Sequence, residues 1–224
     1  MRSADSHQPG DASEAELQLL SDLDLESLRS ERLRATIIAT FGGIGSLMFL
    51  TMENFFAKHV ELLREHRGFG TYIAIALMLL LVCELILRAA ISRRIDRGTP
   101  GSGRVWRYAS AALELTVPTA MTLLFMNLMQ SVCGLLMPPT SLYFFFVLVS
   151  SLRMDFGVSL FTGVLAAAEY LLLYYYGRSH YDDSASTVLL VTPFHHAAKA
   201  LGLIVCGVAA GVTGASAIGL ASRN

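Results

Sequence analysis

Charge is scarce in this sequence. Only 16% of its 224 residues are Asp, Glu, Lys or Arg, against 54% hydrophobic, and the mean hydropathy is +0.53. A soluble domain of this size has no use for so much apolar surface, so the composition excludes an ordinary globular enzyme and points to a membrane protein. Cysteine is equally sparse. Cys83, Cys133 and Cys206 fall in or beside apolar runs without CxxC spacing, which excludes a disulfide framework and a cysteine zinc site. The first ~30 residues are not expected to be a secretory signal, because Asp11, Glu14, Glu16, Asp22, Asp24 and Glu26 occupy the place where its apolar core would sit. The net charge of −1 gives no basis for expecting a nucleic-acid partner.

What the sequence has instead is long apolar runs. A helix crossing ~30 Å of hydrocarbon needs roughly 20 apolar residues, and stretches at about 35–56, 71–91, 108–129, 156–176 and 197–220 meet that length. A sixth span is expected within 131–152, where Pro138-Pro139 either bends the helix or delays its start. The expectation is an all-α membrane domain over 31–222, a six-helix bundle, preceded by a tail at 1–30 that turns from disorder to an amphipathic helix at Leu17, Leu20, Leu23 and Leu28.

Arginine placement sets the expected orientation, since cytoplasmic loops retain basic residues. Arg29, Arg32 and Arg34 precede the first span; Arg93, Arg94, Arg97, Arg104 and Arg107 lie between the second and third; Arg153 follows the fourth and Arg223 the sixth. With six spans these share one side, so both termini are expected in the cytoplasm. The other side carries Lys58, Arg64, Arg67, Arg178 and Lys199, diluted by Glu53, Glu61, Glu65, Asp182 and Asp183.

The string from Leu142 to Phe156 (LYFFFVLVSSLRMDF), with Phe161-Thr162-Gly163 and Ala166-Ala167-Ala168-Glu169-Tyr170, resembles the six-helix membrane anchor that precedes the catalytic domain of bacterial class III adenylate/guanylate cyclases. Arg29 to Arg34 (RSERLR) and His196 to Leu201 (HAAKAL) look similar too, and the resemblance covers most of residues 25–222. It implies a bacterial inner-membrane anchor and sensor that regulates a dimeric cytoplasmic cyclase and is not itself an enzyme. The chain stops at Asn224, four residues past its last apolar stretch, and a linker and output domain are expected beyond that point. In the sixth span Gly207 and Gly211 form a GxxxG pair continued by Gly214, which would let two sixth helices meet in a homodimer or let one pack closely inside its own bundle.

Five of six histidines, His59, His66, His180, His195 and His196, map to the expected outer side. Two facing imidazoles are the usual axial pair of haem b, with Lys58, Arg64, Arg67 and Lys199 available to the propionates. A metal at His59, His66, His195 and His196, a pH-sensing histidine group and a plain interfacial belt are the competing readings. Within the spans, Glu84, Arg88 and Glu114 are expected to form a charge network, as a structural clamp rather than a proton path, and Glu169 to pair with Lys199 or Lys58. A small membrane transporter built around the Pro138-Pro139 break, Asn127 and Gln130 is the alternative function. An intramembrane hydrolase lacks a nucleophile–base pair, because Ser150 and Ser151 are far from the outer histidines.

Overall fold

The computed structural model describes residues 9–56, 68–97, 104–181 and 192–221. The described residues are nearly all helical and contain no strand. Helices α1 (Pro9–Phe56), α2 (Phe69–Asp96), α3 (Arg104–Met129), α4 (Ser141–Val149), α5 (Phe156–His180) and α6 (Pro193–Ala221) follow one another, with 3-10 turns around α4. Five of them carry segments long and apolar enough to cross a membrane: Leu25–Thr51, Gly70–Arg93, Val105–Met129, Phe156–His180 and Pro193–Ser216. These five features make the chain a multi-pass membrane protein in character.

Local chemistry explains the boundaries. Gly68 takes a left-handed conformation, φ 97°, at the entry to α2. The Asp155 carboxylate accepts from the backbone N–H of Gly157 and Val158 and so caps α5. Pro193 opens α6, where its missing N–H is harmless. The helix α3 continues through Pro118 without ending there.

The stretch expected as a continuous span at 131–152 is the one irregular part. Val132–Leu136 and Pro138–Thr140 are 3-10 turns, α4 has 9 residues, and Ser150–Arg153 is 3-10 again. At 1.5 Å per residue α4 reaches only about 14 Å, less than half of a hydrocarbon core. The whole segment nevertheless runs back along α3. Gly134 lies against Met126, the Tyr143 hydroxyl is 2.6 Å from Thr119 Oγ1, and Arg153 donates to Ser110 and to the Arg107 carbonyl near the start of α3. Proline, which denies a regular helix its hydrogen bond, is the cause of the break.

Two close helix pairs are built on small residues. In α1 a Cβ on Gly42 would stand 3.1 Å from the Leu77 carbonyl of α2, and Ser46 bonds the Ala74 carbonyl at 3.0 Å. In α5 a Cβ on Gly163 would stand 2.9 Å from the Cα of Gly207 in α6. Between the pairs, Met126, Leu135, Tyr143, Phe146, Ala166 and Tyr170 form a buried apolar centre. The bundle thus has an arginine end, where Arg34 and Arg153 lie, and a histidine end, where α5 finishes and α6 begins.

The small residues of α6 are used within the chain. Gly207 meets Gly163, a Cβ on Gly211 would collide with Phe156, and one on Gly214 with the Ser151 carbonyl. These contacts are the close packing inside one bundle that the spacing of Gly207, Gly211 and Gly214 allows.

Candidate functional site

At the arginine end five charged side chains are buried. Arg34 donates from Nε to Glu31 at 2.8 Å and from Nη1 to Glu114 Oε1 at 2.6 Å. Arg153 donates from Nη2 to the same Glu114 oxygen at 2.6 Å, so one carboxylate binds two guanidinium groups. Glu84 stands 3.9 Å from Arg34, an ion pair without a direct hydrogen bond. The expected partner Arg88 is exposed, whereas Arg34 and Arg153 are 0% and 1% exposed; the network is Glu31–Arg34–Glu114–Arg153 with Glu84 beside it. Helix geometry gives the reason. Arg88 shares a helix with Glu84 but reaches the surface, while α1 brings Arg34 and the turn after α4 brings Arg153 to the depth of Glu114.

Arg34 and Arg153 were readable only as cytoplasmic collar residues, since neither lies at helical spacing from Glu84 or Glu114. The turn that carries Arg153 also joins the surrounding helices. Ser30 of α1 bonds the Leu152 carbonyl, Ser159 of α5 bonds the Ser150 carbonyl at 3.1 Å, and Gly214 of α6 lies on the Ser151 carbonyl. Met154 closes the turn at φ 52°, a left-handed conformation that a non-glycine residue adopts at a cost of about 1–2 kcal/mol.

At the histidine end α5 and α6 bring together a buried polar cluster. His196 is 1% exposed, its Nδ1 is 2.5 Å from the Tyr170 hydroxyl, and its ring stacks on Tyr174 with centroids 4.3 Å apart. His195 meets it edge to face at 5.7 Å. The Nε2 atoms of both imidazoles are buried and have no hydrogen-bond partner among the described residues. Lys199 lies 6.0 Å from the Tyr170 ring centre, and Arg178 donates to the Tyr174 hydroxyl at 3.4 Å.

His180 and Glu169 do not join this cluster. His180 is exposed at the end of α5, stacked on Tyr176 with Nδ1 2.9 Å from the Tyr176 carbonyl. Glu169 bonds Thr119 of α3, not Lys199, and Thr119 links it to Tyr143. His59, His66, Lys58, Arg64 and Arg67 lie outside the described residues. Among the described residues no group of three or more His, Cys, Asp or Glu is placed to hold a metal ion.

A third feature is a cleft of about 220 Å³ beside the proline break, lined by Phe41, Ile44, Met48, Met121, Pro139 and Leu142 among others. It lacks a polar side chain that could coordinate a solute. Asn127 accepts from the Tyr181 hydroxyl at 2.6 Å and Gln130 bonds the Asn127 carbonyl, so the polar residues named for a transport site are engaged at the helix end instead. Comparison of the chain with protein-family models, curated proteins and solved structures finds no match.

Proposed function

We propose that this chain is a membrane-embedded signal-receiving domain, with the histidine end outside, the arginine end in the cytoplasm and the 131–153 segment as a broken sixth crossing. The observation that carries the reading is the α5–α6 pair itself. Its histidine end holds a buried imidazole with an unpartnered nitrogen, and its arginine end rests on the turn that also touches α1 and α3. A ligand that favours one packing of α5 on α6 would bias that turn, because tightly packed helices shift between discrete arrangements rather than deforming smoothly.

The resemblance of Leu142 to Phe156 to the class III cyclase anchor supplies the proposed setting: a bacterial inner membrane, a cytoplasmic cyclase domain downstream and no catalysis in the anchor. A homodimer, which such a cyclase requires, would have to use the exposed face of α6 at Leu201, Val205, Val208 and Val212, since the glycine stripe is covered. Haem b is one occupant of the histidine end to be tested. His196 Nε2 and one of His59 or His66 would be its candidate ligands, and an oxidised and reduced absorption spectrum of the purified protein checks it through the Soret band.

The functional test places this chain ahead of a class III cyclase catalytic domain and measures cyclic nucleotide output in membranes. His196→Phe and Gly163→Leu are expected to change output while the protein stays membrane-inserted. Output unchanged by both variants would sink the proposal.

A further inference from the structure

We propose that the polar cluster at the start of α6 binds a phosphate group, presented either by an anionic lipid or by a soluble phosphate. The inference deepens the signal-receiving reading by naming the ligand class of the same cluster, but it concerns binding alone and is tested without any output domain.

The argument begins with hydrogen positions. His196 Nδ1 and the Tyr170 hydroxyl are 2.5 Å apart, so one of them donates to the other. If Tyr170 donates, the imidazole hydrogen sits on Nε2 as a buried donor that lacks an acceptor. If His196 donates instead, Nε2 offers a lone pair to a cation, and the Tyr170 hydrogen is the group left without an acceptor. The surroundings decide between these. Lys199 is half-buried and has no ion-pair partner among the described residues, and Arg178 reaches the Tyr174 hydroxyl. The nearest carboxyl on α5, Glu169, points its oxygen to Thr119. Among the described residues around this imidazole the charges are positive, so a further cation would be repelled there, whereas an anion would find compensation.

Geometry adds direction. His195, His196 and Lys199 stand in the first two turns of α6, whose amino terminus carries the positive end of the helix dipole. His195 and Lys199 are four apart and His196 and Lys199 three apart, which places all three on neighbouring rows of one face. Two buried imidazole nitrogens, with the Lys199 ammonium 6.0 Å from the Tyr170 ring centre and the Arg178 guanidinium on the Tyr174 hydroxyl, suit a ligand with several acceptor oxygens better than one with a single oxygen. The second observation, beyond the helix terminus, is the buried and unpartnered Nε2 of His196, a side chain only 1% exposed. The part of α6 long and apolar enough to cross a membrane begins at Pro193, so the cluster lies in the first turns of a spanning helix, near the level of lipid headgroups.

The test uses the full chain, purified in a neutral detergent and in nanodiscs of phosphatidylcholine with or without phosphatidylglycerol. Thermal unfolding is followed with sodium phosphate against sodium chloride at equal ionic strength, and then across the two nanodisc compositions. A rise in Tm with inorganic phosphate assigns a soluble phosphate, and a rise with phosphatidylglycerol alone assigns a headgroup; both support the proposal. In either arm Lys199→Gln and His196→Gln should weaken the midpoint concentration at least tenfold. Unchanged helical circular dichroism and elution volume show that these variants are folded, and Lys199→Gln serves where His196→Gln is not. Three results would overturn the proposal: stabilisation by neither probe, stabilisation equal in both variants, or a Soret band lost in His196→Gln, which would give Nε2 to iron.

Discussion

Glu114 is the residue on which the arginine end turns, because a single oxygen receives Arg34 at 2.6 Å and Arg153 at 2.6 Å. Removing one member of a buried ion group leaves its partners charged and unpaired, which costs about 3–5 kcal/mol. Glu114→Gln is therefore expected to lower stability by about that amount, read from thermal or denaturant unfolding in detergent. Glu84→Gln should cost much less, since Glu84 is 3.9 Å from Arg34 and makes no direct hydrogen bond to it. Equal losses in the two variants would mean that burial alone, not the shared oxygen, sets the energetics. Tyr170→Phe removes the partner of a buried imidazole nitrogen, and the unmet group should cost about 1–3 kcal/mol by the same measurement. At this scale the sequence was half legible. Glu84 and Glu114 stand out as acids in apolar runs, and His196 as an imidazole at a helix start. Their partners did not, because Arg34, Arg153 and Tyr170 reach them across helices from positions that spacing along one chain segment does not connect.

Among the elements, the long helices follow from hydrophobic length alone, and five of the expected stretches fall within helices that the structure contains. The proline pair announced the trouble in the remaining stretch. What it could not convey is that the chain would solve the problem with 3-10 turns, packing Gly134 on Met126 and returning to α3 through Arg153. The glycines of α6 tell a similar story: their spacing predicts a close helix contact, but the identity of the opposing helix depends on how the bundle closes. That helix is α5. Gly163→Leu would force side-chain atoms into the Leu203 carbonyl and the Gly207 Cα, which are 2.8 and 2.9 Å from the position of a bare Cβ. The expected loss is at least about 1–3 kcal/mol, the usual cost of overpacking, with α5 and α6 pushed apart. Changing Leu172, which is 68% exposed on the same helix, to alanine should leave stability nearly untouched. Comparable unfolding of the two variants would show that the α5–α6 approach is not tight. Met154→Gly belongs to this scale as well. Its φ of 52° suits glycine, so the variant is expected to unfold no more readily than the parent and to gain up to about 1 kcal/mol.

For the molecule as a whole, parity is the question that binds the proposed orientation to the proposed function. Five crossings place the two termini on opposite sides of the bilayer; six place them together. The antiparallel course of residues 131–153 along α3, from Met126 to Arg107, favours six even though α4 has only 9 residues. Basic residues favour the arginine end as the cytoplasmic one, because Arg93 and Arg97 close α2 there and Arg107 begins α3. Green fluorescent protein fused to either terminus of the chain in a bacterium is therefore expected to fluoresce, since it matures in the cytoplasm, while alkaline phosphatase at either terminus stays inactive. A cysteine introduced at Ser131 should react with an impermeant maleimide added to intact cells, and one introduced at Ser92 should react only after lysis. Fluorescence from one terminus and phosphatase activity from the other would establish five crossings. In that event a domain following α6 and the cytoplasmic end of α1 could not share a compartment, and the coupling proposed through the turn at Ser150–Arg153 would lose its route to a cytoplasmic output.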